Sequence, residues 1–395
     1  MTYQLPEDYA GGHLKEVARV SRLWDESYSP LRTQRVCLCP QRAPVPISRF
    51  RDLSHLCDVT RVRWFNVPLA PFRTDNVAAL MKFGHSVLSE YSRAFVNVLG
   101  VVDGQMDGQI LNHTANMMRR VSAISPDGKD NFRLGLSVNI KPDGPFFPFT
   151  YSSGRFGFSI ALELTQDINK ICERRTSSTL MQLRQEILDT LVPQVERIDG
   201  IARHIARQTG MEFKGFDFSL APIIDPYGSV ISILNALGVY DFGRTGSLFA
   251  TGFLTNILRH LASRFPSVGF SGVMYSLLED MELCAINNER GVSLYQMISL
   301  STMCGCGVDM VPVYGQMKNE EFMAIFMDVA AISTRLNKPL GVRILPIPSC
   351  KRGNTTYTSF HDDPDFIANT KVVTPNLNLL TEMGCGVFHF LTQSQ

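Results

Sequence analysis

No apolar run in this chain approaches the ~18 residues that a membrane-spanning helix needs. The first residues, MTYQLPEDYAGGHLKE, lack the basic-then-apolar pattern of a secretory leader. A soluble, cytoplasmic protein is expected. No Lys/Arg-rich tract stands out, and 38 basic against 37 acidic residues leave a net charge of +1. An electrostatic surface for nucleic acid is therefore not supported. The nine cysteines are odd in number and form no CxxC pair. Cys37/Cys39 and Cys304/Cys306 are the closest pairs, but neither has a nearby His or second cysteine pair at zinc spacing. Reduced, packed thiols are expected. GxGxxG after a strand, the P-loop, HExxH and GxSxG are all absent, which removes the familiar nucleotide, zinc-protease and serine-hydrolase signatures.

What is present is a large apolar fraction, 45% of 395 residues, enough for a sizeable core. Strand patterns fall at 35–39, 61–67, 94–101, 132–140, 157–164, 215–221, 268–276, 307–313 and 341–347, with a last one near 386–391. Helical patterns lie between them at 75–93, 112–124, 177–208, 228–237, 247–264, 292–303 and 319–336. Pro193 should kink or divide the longest of these. Gly238, Gly243 and Gly246 crowd one turn, where positive φ or close packing is expected. About ten strands alternating with helices predict an α/β architecture with parallel strands. The expected form is a ten-stranded α/β barrel, with an open doubly wound sheet as its competitor. Residues 1–34 read as a polar lead-in and 35–395 as a single barrel domain.

The strands share one habit. Asp217 and Ser219 lie on one face of FDFSLAP, opposite Phe216, Phe218 and Leu220, because side chains alternate along a strand. A carboxylate in such a setting costs several kcal/mol unless it is hydrogen-bonded, paired or metal-bound. Taken alone, Asp217 is best read as a buried cap for a nearby loop. The habit recurs with Glu163, Asp309, Arg343, Arg133, Ser137, Asn139, Arg61, Arg63 and Asn66, and the repetition predicts a shared polar lumen or pocket. Glu279 and Asp280 follow a strand directly. They suit Mg²⁺ through their oxygens, or equally a helix N-terminus through its dipole. The acidic run Phe360-His361-Asp362-Asp363-Pro364-Asp365 reads as an exposed loop, and Asp225-Pro226 as turn chemistry.

Eight ordered segments carry a family resemblance: RVRWFNVPL (61–69), DNFRLGLSVN (130–139), PFFPFTYSSGRFGFSIALEL (145–164), FDFSLAPIIDP (216–226), FGRTGSLF (242–249), GFSGVMYSLLED (269–280), CGCGVDMVPV (304–313) and KPLGVRILPIP (338–348). Together they resemble the fungal alpha-ionylideneethane synthase family of sesquiterpene synthases. More distantly, the second half is similar to bacterial and archaeal proteins with domain of unknown function 711. The resemblance implies a barrel like that of glycyl radical enzymes. DDxxD on a helix and DxDD are absent, and the C-terminal MGCGVFHF lacks a glycyl-radical setting.

What the resemblance implies is a terpene synthase that ionises farnesyl diphosphate and rearranges the cation to a sesquiterpene. Under that reading Mg²⁺ is the cofactor, held by Glu163, Asp217, Glu279 and Asp309. Glu163, Asp217 and Arg343 form the catalytic set. Arg343, with Arg133 or Arg63, grips phosphate oxygens. Asn139 joins the substrate contacts, while Trp64, Phe147 and Tyr275, with Phe65, Phe146, Phe149 and Tyr151, line an aromatic channel. Two other readings stay open: an enzyme acting on a phosphorylated or carboxylated metabolite, and a non-catalytic ligand-binding barrel. Oligomeric state is also open, a homo-oligomer included.

Overall fold

The computed structural model describes residues 1–27, 31–174, 178–360, 363–375, 377 and 387–389. Among them, eleven strands enter one mixed sheet. They are β1 (Thr2–Gln4), β2 (Gln34–Cys37), β3 (Val62–Leu69), β4 (Ala94–Val102), β5 (Gln105–Asp107), β6 (Leu134–Val138), β7 (Gly157–Ala161), β8 (Glu212–Asp217), β9 (Gly307–Tyr314), β10 (Leu340–Ile347) and β11 (Val387–His389). Nine follow the order β8-β7-β1-β2-β3-β4-β6-β10-β9, while β11 pairs with β5 and β5 with β4. Strands β4, β6, β9 and β10 are buried along nearly their whole length on both faces, as expected for a sheet covered by helices.

The α/β architecture is present, but the strands are not all parallel. β1, β2, β3, β4 and β6 form one parallel run. β7 with β8 and β9 with β10 are also parallel pairs, and they meet the first run antiparallel at two seams, β1/β7 and β6/β10. The path does not close as a continuous ladder. Its ends, β8 and β9, are separated by residues 267–276, which make single parallel bridges, Phe216–Ser267, Leu220–Val273 and Ser276–Asp309. The segment predicted as a strand at 268–276 is interrupted by positive φ at Gly269 (76°) and Ser271 (46°). Extended pairing cannot run through such residues, so the regular sheet stays open here.

The residues read as a lead-in contribute β1 to the sheet and the helix Gly11–Ser27, which buries Val17, Val20 and Trp24. Sequence patterns also missed the helices Arg51–Val59, Thr165–Arg174 and Met281–Arg290. The longest helix, Leu180–Thr209, starts at a Thr179/Gln182 capping box and stops at Gly210 with φ 70°. It runs past Pro193, an exposed residue that removes one backbone donor but does not divide the helix. Gly238, Gly243 and Gly246 all take positive φ, as expected. Among the described residues, no helix is long and apolar enough to cross a membrane.

The sheet's concave interior is not empty. The loop between β6 and β7 enters it, and the inward polar residues hold that loop. Asn66 Nδ2 donates to the carbonyls of Pro148 (3.0 Å) and Thr150 (2.9 Å), and Asn97 Nδ2 to that of Thr150 (3.0 Å). Ser137 donates to Asn97 Oδ1 (2.6 Å), and Thr2 donates to the carbonyl of Pro145 (2.8 Å). Gly135 and Gly341 leave room for Phe149, since a Cβ at either would stand 2.5–2.6 Å from its ring or from Pro148.

Candidate functional site

Above the inserted loop lies a cavity of about 520 Å³. It opens where β2, β3 and β4 begin and where β7, β8 and the 267–276 segment end, since the antiparallel seams bring those edges together. Phe95, Phe132, Phe147, Phe149, Phe270 and Trp64 form an aromatic wall. Leu162, Leu164, Leu191, Val195 and Ile198 form an aliphatic one.

The polar centre is Arg343. Its Nε donates to Asp309 Oδ1 at 2.6 Å and its Nη2 to Oδ2 at 2.9 Å, a bidentate pair in which both residues are 5% exposed. Nη1 donates to the Phe132 carbonyl at 3.4 Å, and the guanidinium lies over the Phe132 and Phe149 rings. Burial opposes the charge on Arg343, but Asp309 outweighs it and holds the guanidinium protonated. Glu279 stands 4.0 Å from Arg343 and faces the cavity with 30% of its side chain exposed. Burial pushes its carboxyl above the usual range; Arg343 pulls it down, and the Asp309 charge pushes it up again.

Arg35 faces the same space. Its Nη1 donates to the Pro145 carbonyl at 3.2 Å, while its buried Nε has no partner. The guanidinium sits over Trp64 and Phe147, 5.6 and 5.7 Å from their centroids. Burial lowers its pKa to about 10, so it stays a cation at neutral pH. At the rim, two ion pairs join separate segments: Arg32 with Glu163 (2.9 Å) and Arg63 with Asp365 (2.6 Å). Arg63 also lies over the Trp64 ring at 4.1 Å, so that ring meets two guanidinium groups, those of Arg63 and Arg35.

Of the residues singled out in sequence, the cavity gathers Glu163, Glu279, Asp309, Arg63, Arg343, Trp64, Phe146, Phe147 and Phe149. The others stand elsewhere. Asp217 is fully buried and accepts from Ser219 N (2.8 Å), Ser219 Oγ (2.5 Å), Phe270 N (2.7 Å) and Ser271 N (3.0 Å). It fastens the 267–276 segment to β8 and thereby positions Phe270. Arg133 donates to the carbonyls of Leu88, Tyr91 and Ala94 and pairs with Asp130, closing the end of the helix Val77–Glu90. Asn139, at φ 52°, accepts from Gly104 N and donates to Ser333 and Thr334. Tyr275 shares a hydrogen bond with Thr251 and packs on Phe242. Asp280 takes the helix-terminus alternative, accepting from Glu282 N and Leu283 N as well as from Ser229 and Val230. Asp363 and Asp365 make ion pairs with Lys129 and Arg63, while His361 and Asp362 lie outside the described residues.

The expected Mg²⁺ set is therefore not assembled. Asp309 has both oxygens on Arg343, Asp217 is turned to backbone amides, and Glu163 pairs with Arg32 at the rim. Among the described residues, no group of three or more His, Cys, Asp or Glu is placed to hold a metal. Sequence reasoning missed Arg35, Phe95, Phe132, Phe270 and Cys306. The one available signal for Arg35 was a lone cation opening an apolar strand. Phe270 gave none, because its direction depends on the turn that Asp217 secures.

Comparison with known proteins matches residues 53–360 to the family described as "Uncharacterised ACR (DUF711)". A UPF0210 protein of Sulfurisphaera tokodaii is 27% identical over 250 residues, 62% of this chain and 56% of that relative. A UPF0210 protein of Pyrobaculum arsenaticum is 26% identical over 321 residues, 79% and 70% of the two chains. One from Methanocaldococcus jannaschii is 30% identical over 226 residues, 56% and 49%. The chain thus spans about half to seven-tenths of the curated relatives it matches. These findings correct the functional expectation. The matches lead to uncharacterised UPF0210 proteins and not to a sesquiterpene synthase family, so the farnesyl diphosphate reading is set aside.

Proposed function

Because this chain belongs to the DUF711 family, which is described only as uncharacterised, we propose a function from its cavity: an enzyme that binds a small carboxylated or phosphorylated metabolite with an apolar body and moves a proton on it. Arg35 holds the anionic group, Glu279 is the general acid–base, and the Arg343–Asp309 pair fixes the charge beside Glu279. The aromatic wall receives the apolar body.

One observation carries this reading. Glu279 and Arg35 face the same cavity, the first a carboxyl pushed upward by burial, the second a cation with an unused N–H. A catalytic acid–base works best with a pKa near the operating pH, and an upward shift moves a carboxyl toward it. The guanidinium fork suits carboxylate or phosphate.

The test is a thermal-shift screen of small aromatic and aliphatic carboxylates and phosphates. Compounds that raise the melting temperature are then incubated in D₂O and examined by mass spectrometry for deuterium uptake. Arg35→Met is expected to lose the stabilisation. Glu279→Gln is expected to keep it and lose the exchange. Equal stabilisation of wild type and Arg35→Met by every anionic compound would overturn the binding half of the proposal. Undiminished exchange in Glu279→Gln would overturn the catalytic half.

A further inference from the structure

We propose that Cys304 and Cys306 form an oxidisable dithiol in the cavity wall, a site where a hydroperoxide converts two thiols into one disulfide. The pair occupies the bend that leads into β9. Both sulfurs approach one acceptor, the Gly307 carbonyl, at 4.0 and 3.9 Å, so they leave the chain on the same side. Each thiol is also the largest influence on the other's affinity for its proton. Gly305 between them holds the bend in place. Its N–H donates to the Val273 carbonyl at 2.5 Å, and a Cβ added there would stand 2.9 Å from Gly272 Cα.

The surroundings distinguish this pair from the other thiols. Cys306 lines the cavity beside Asp309, whereas Cys304 lies behind it. Lys338, 7% exposed, donates from Nζ to the Ser301 carbonyl (2.9 Å) and to that of Cys304. The neighbouring Cys306 thiol draws the Cys304 thiol down to about 6 against the effect of burial, and the Lys338 charge adds to it. Cys306 is pushed up correspondingly, so after the first proton leaves the pair shares the second. By contrast, burial pushes Cys37, Cys57, Cys172 and Cys284 upward. A thiolate is the reacting form, and among these residues only the 304/306 pair sets one beside a cavity: Cys304 holds its proton weakly and can take the proton of Cys306, the sulfur that lines the cavity.

The reaction balances without a metal or cofactor. The cavity-facing sulfur of Cys306, its proton passed toward Cys304, attacks one peroxide oxygen. The O–O bond breaks, the sulfur keeps one oxygen as a sulfenic acid, and hydroxide leaves to become water. The sulfur of Cys304 then attacks that sulfenyl sulfur. The S–O bond breaks and a second water leaves. Two thiols and one hydrogen peroxide thus give one disulfide and two waters, the sulfurs losing two electrons and the peroxide gaining them.

The experiment treats the folded full chain with equimolar hydrogen peroxide, alkylates the remaining thiols and maps the peptides by mass spectrometry. The peptide containing 304–306 is expected unalkylated and lighter by two hydrogen atoms, forming about tenfold faster than oxidation at Cys57 or Cys172. In Cys304→Ser the reaction should stop at a sulfenic acid on Cys306, trapped by dimedone. In Cys306→Ser no rapid adduct should form at Cys304. A wild-type map in which both thiols remain free while Cys39 or another cysteine oxidises first would overturn the proposal. That map decides the matter even if a serine variant fails to fold.

Discussion

Arg343 and Asp309 satisfy each other through two parallel hydrogen bonds inside the cavity wall, which makes the arginine a fixed part of the free protein. Removing one member leaves an uncompensated buried charge. Arg343→Met should therefore lose roughly 3–5 kcal/mol of stability by urea unfolding, and Arg343→Lys should lose less because the charge survives without the fork. Asp217→Asn is also expected to destabilise, by roughly 1–3 kcal/mol in the same measurement, because an amide turns donors toward the amides of Phe270 and Ser271. Glu279 gives a pH signature. Its folded pKa lies above the unfolded value, so its contribution is fully present below the unfolded pKa and is lost as pH rises through the folded one. Stability of wild type relative to Glu279→Gln should fall as pH climbs from the ordinary carboxyl range, as read from melting temperatures at a series of pH values. A flat difference would contradict the upward shift. At this scale the sequence identified unusual polar residues but not their partners. Asp217 within a strand pattern and Glu279 just after one both read as isolated acids beside apolar runs, and only the path of the segment some fifty residues beyond Asp217 marks it as a structural anchor.

The inserted β6–β7 loop explains why so many inward polar residues do not contact a ligand space. Asn66 and Ser137 were legible as inward-facing polar residues, yet Asn66 meets the Pro148 and Thr150 backbone, and Ser137 holds Asn97, a residue the sequence reading passed over, against Thr150. Nothing in strand periodicity reveals that a loop will occupy a lumen. The two glycines beneath it are the sensitive positions. Gly341→Ala places a methyl against the Phe149 ring and should cost about 1–3 kcal/mol. Since Phe149 lines the cavity, any ligand found in the thermal-shift screen should also bind more weakly to this variant by titration calorimetry. Normal affinity with lowered stability would limit Phe149 to a packing role. Among the helices, even the seven-residue Val230–Ala236 and Leu294–Leu300 were found, so length does not explain why Arg51–Val59, Thr165–Arg174 and Met281–Arg290 were missed; each lies beside a strand pattern, 61–67, 157–164 or 268–276, that took the reading.

Across the whole molecule, the two antiparallel seams decide the architecture. The α/β class and nine of the ten expected strands followed from alternation and spacing, but parallel or antiparallel pairing depends on which strands become neighbours, and β1 and β5 were hidden by their three-residue length. Tyr3 anchors that short strand. It is fully buried and donates to Gln34 Oε1 at 2.8 Å. Tyr3→Ala should lower stability by roughly 3–5 kcal/mol, comparable to other aromatic truncations in cores, and a chemical-denaturation midpoint would register it. The same seam has a consequence in time. β1 pairs with β2 on one side and with β7 on the other, where Thr2 meets Ser159. On a ribosome adding 5–20 residues per second, β7 follows β1 by roughly 8–30 s. For that interval the edge of β1 has no partner and the loop that fills the lumen does not yet exist. The nascent first half therefore passes through a stage with an open edge and an unfilled interior, which is when a chaperone would have most to hold.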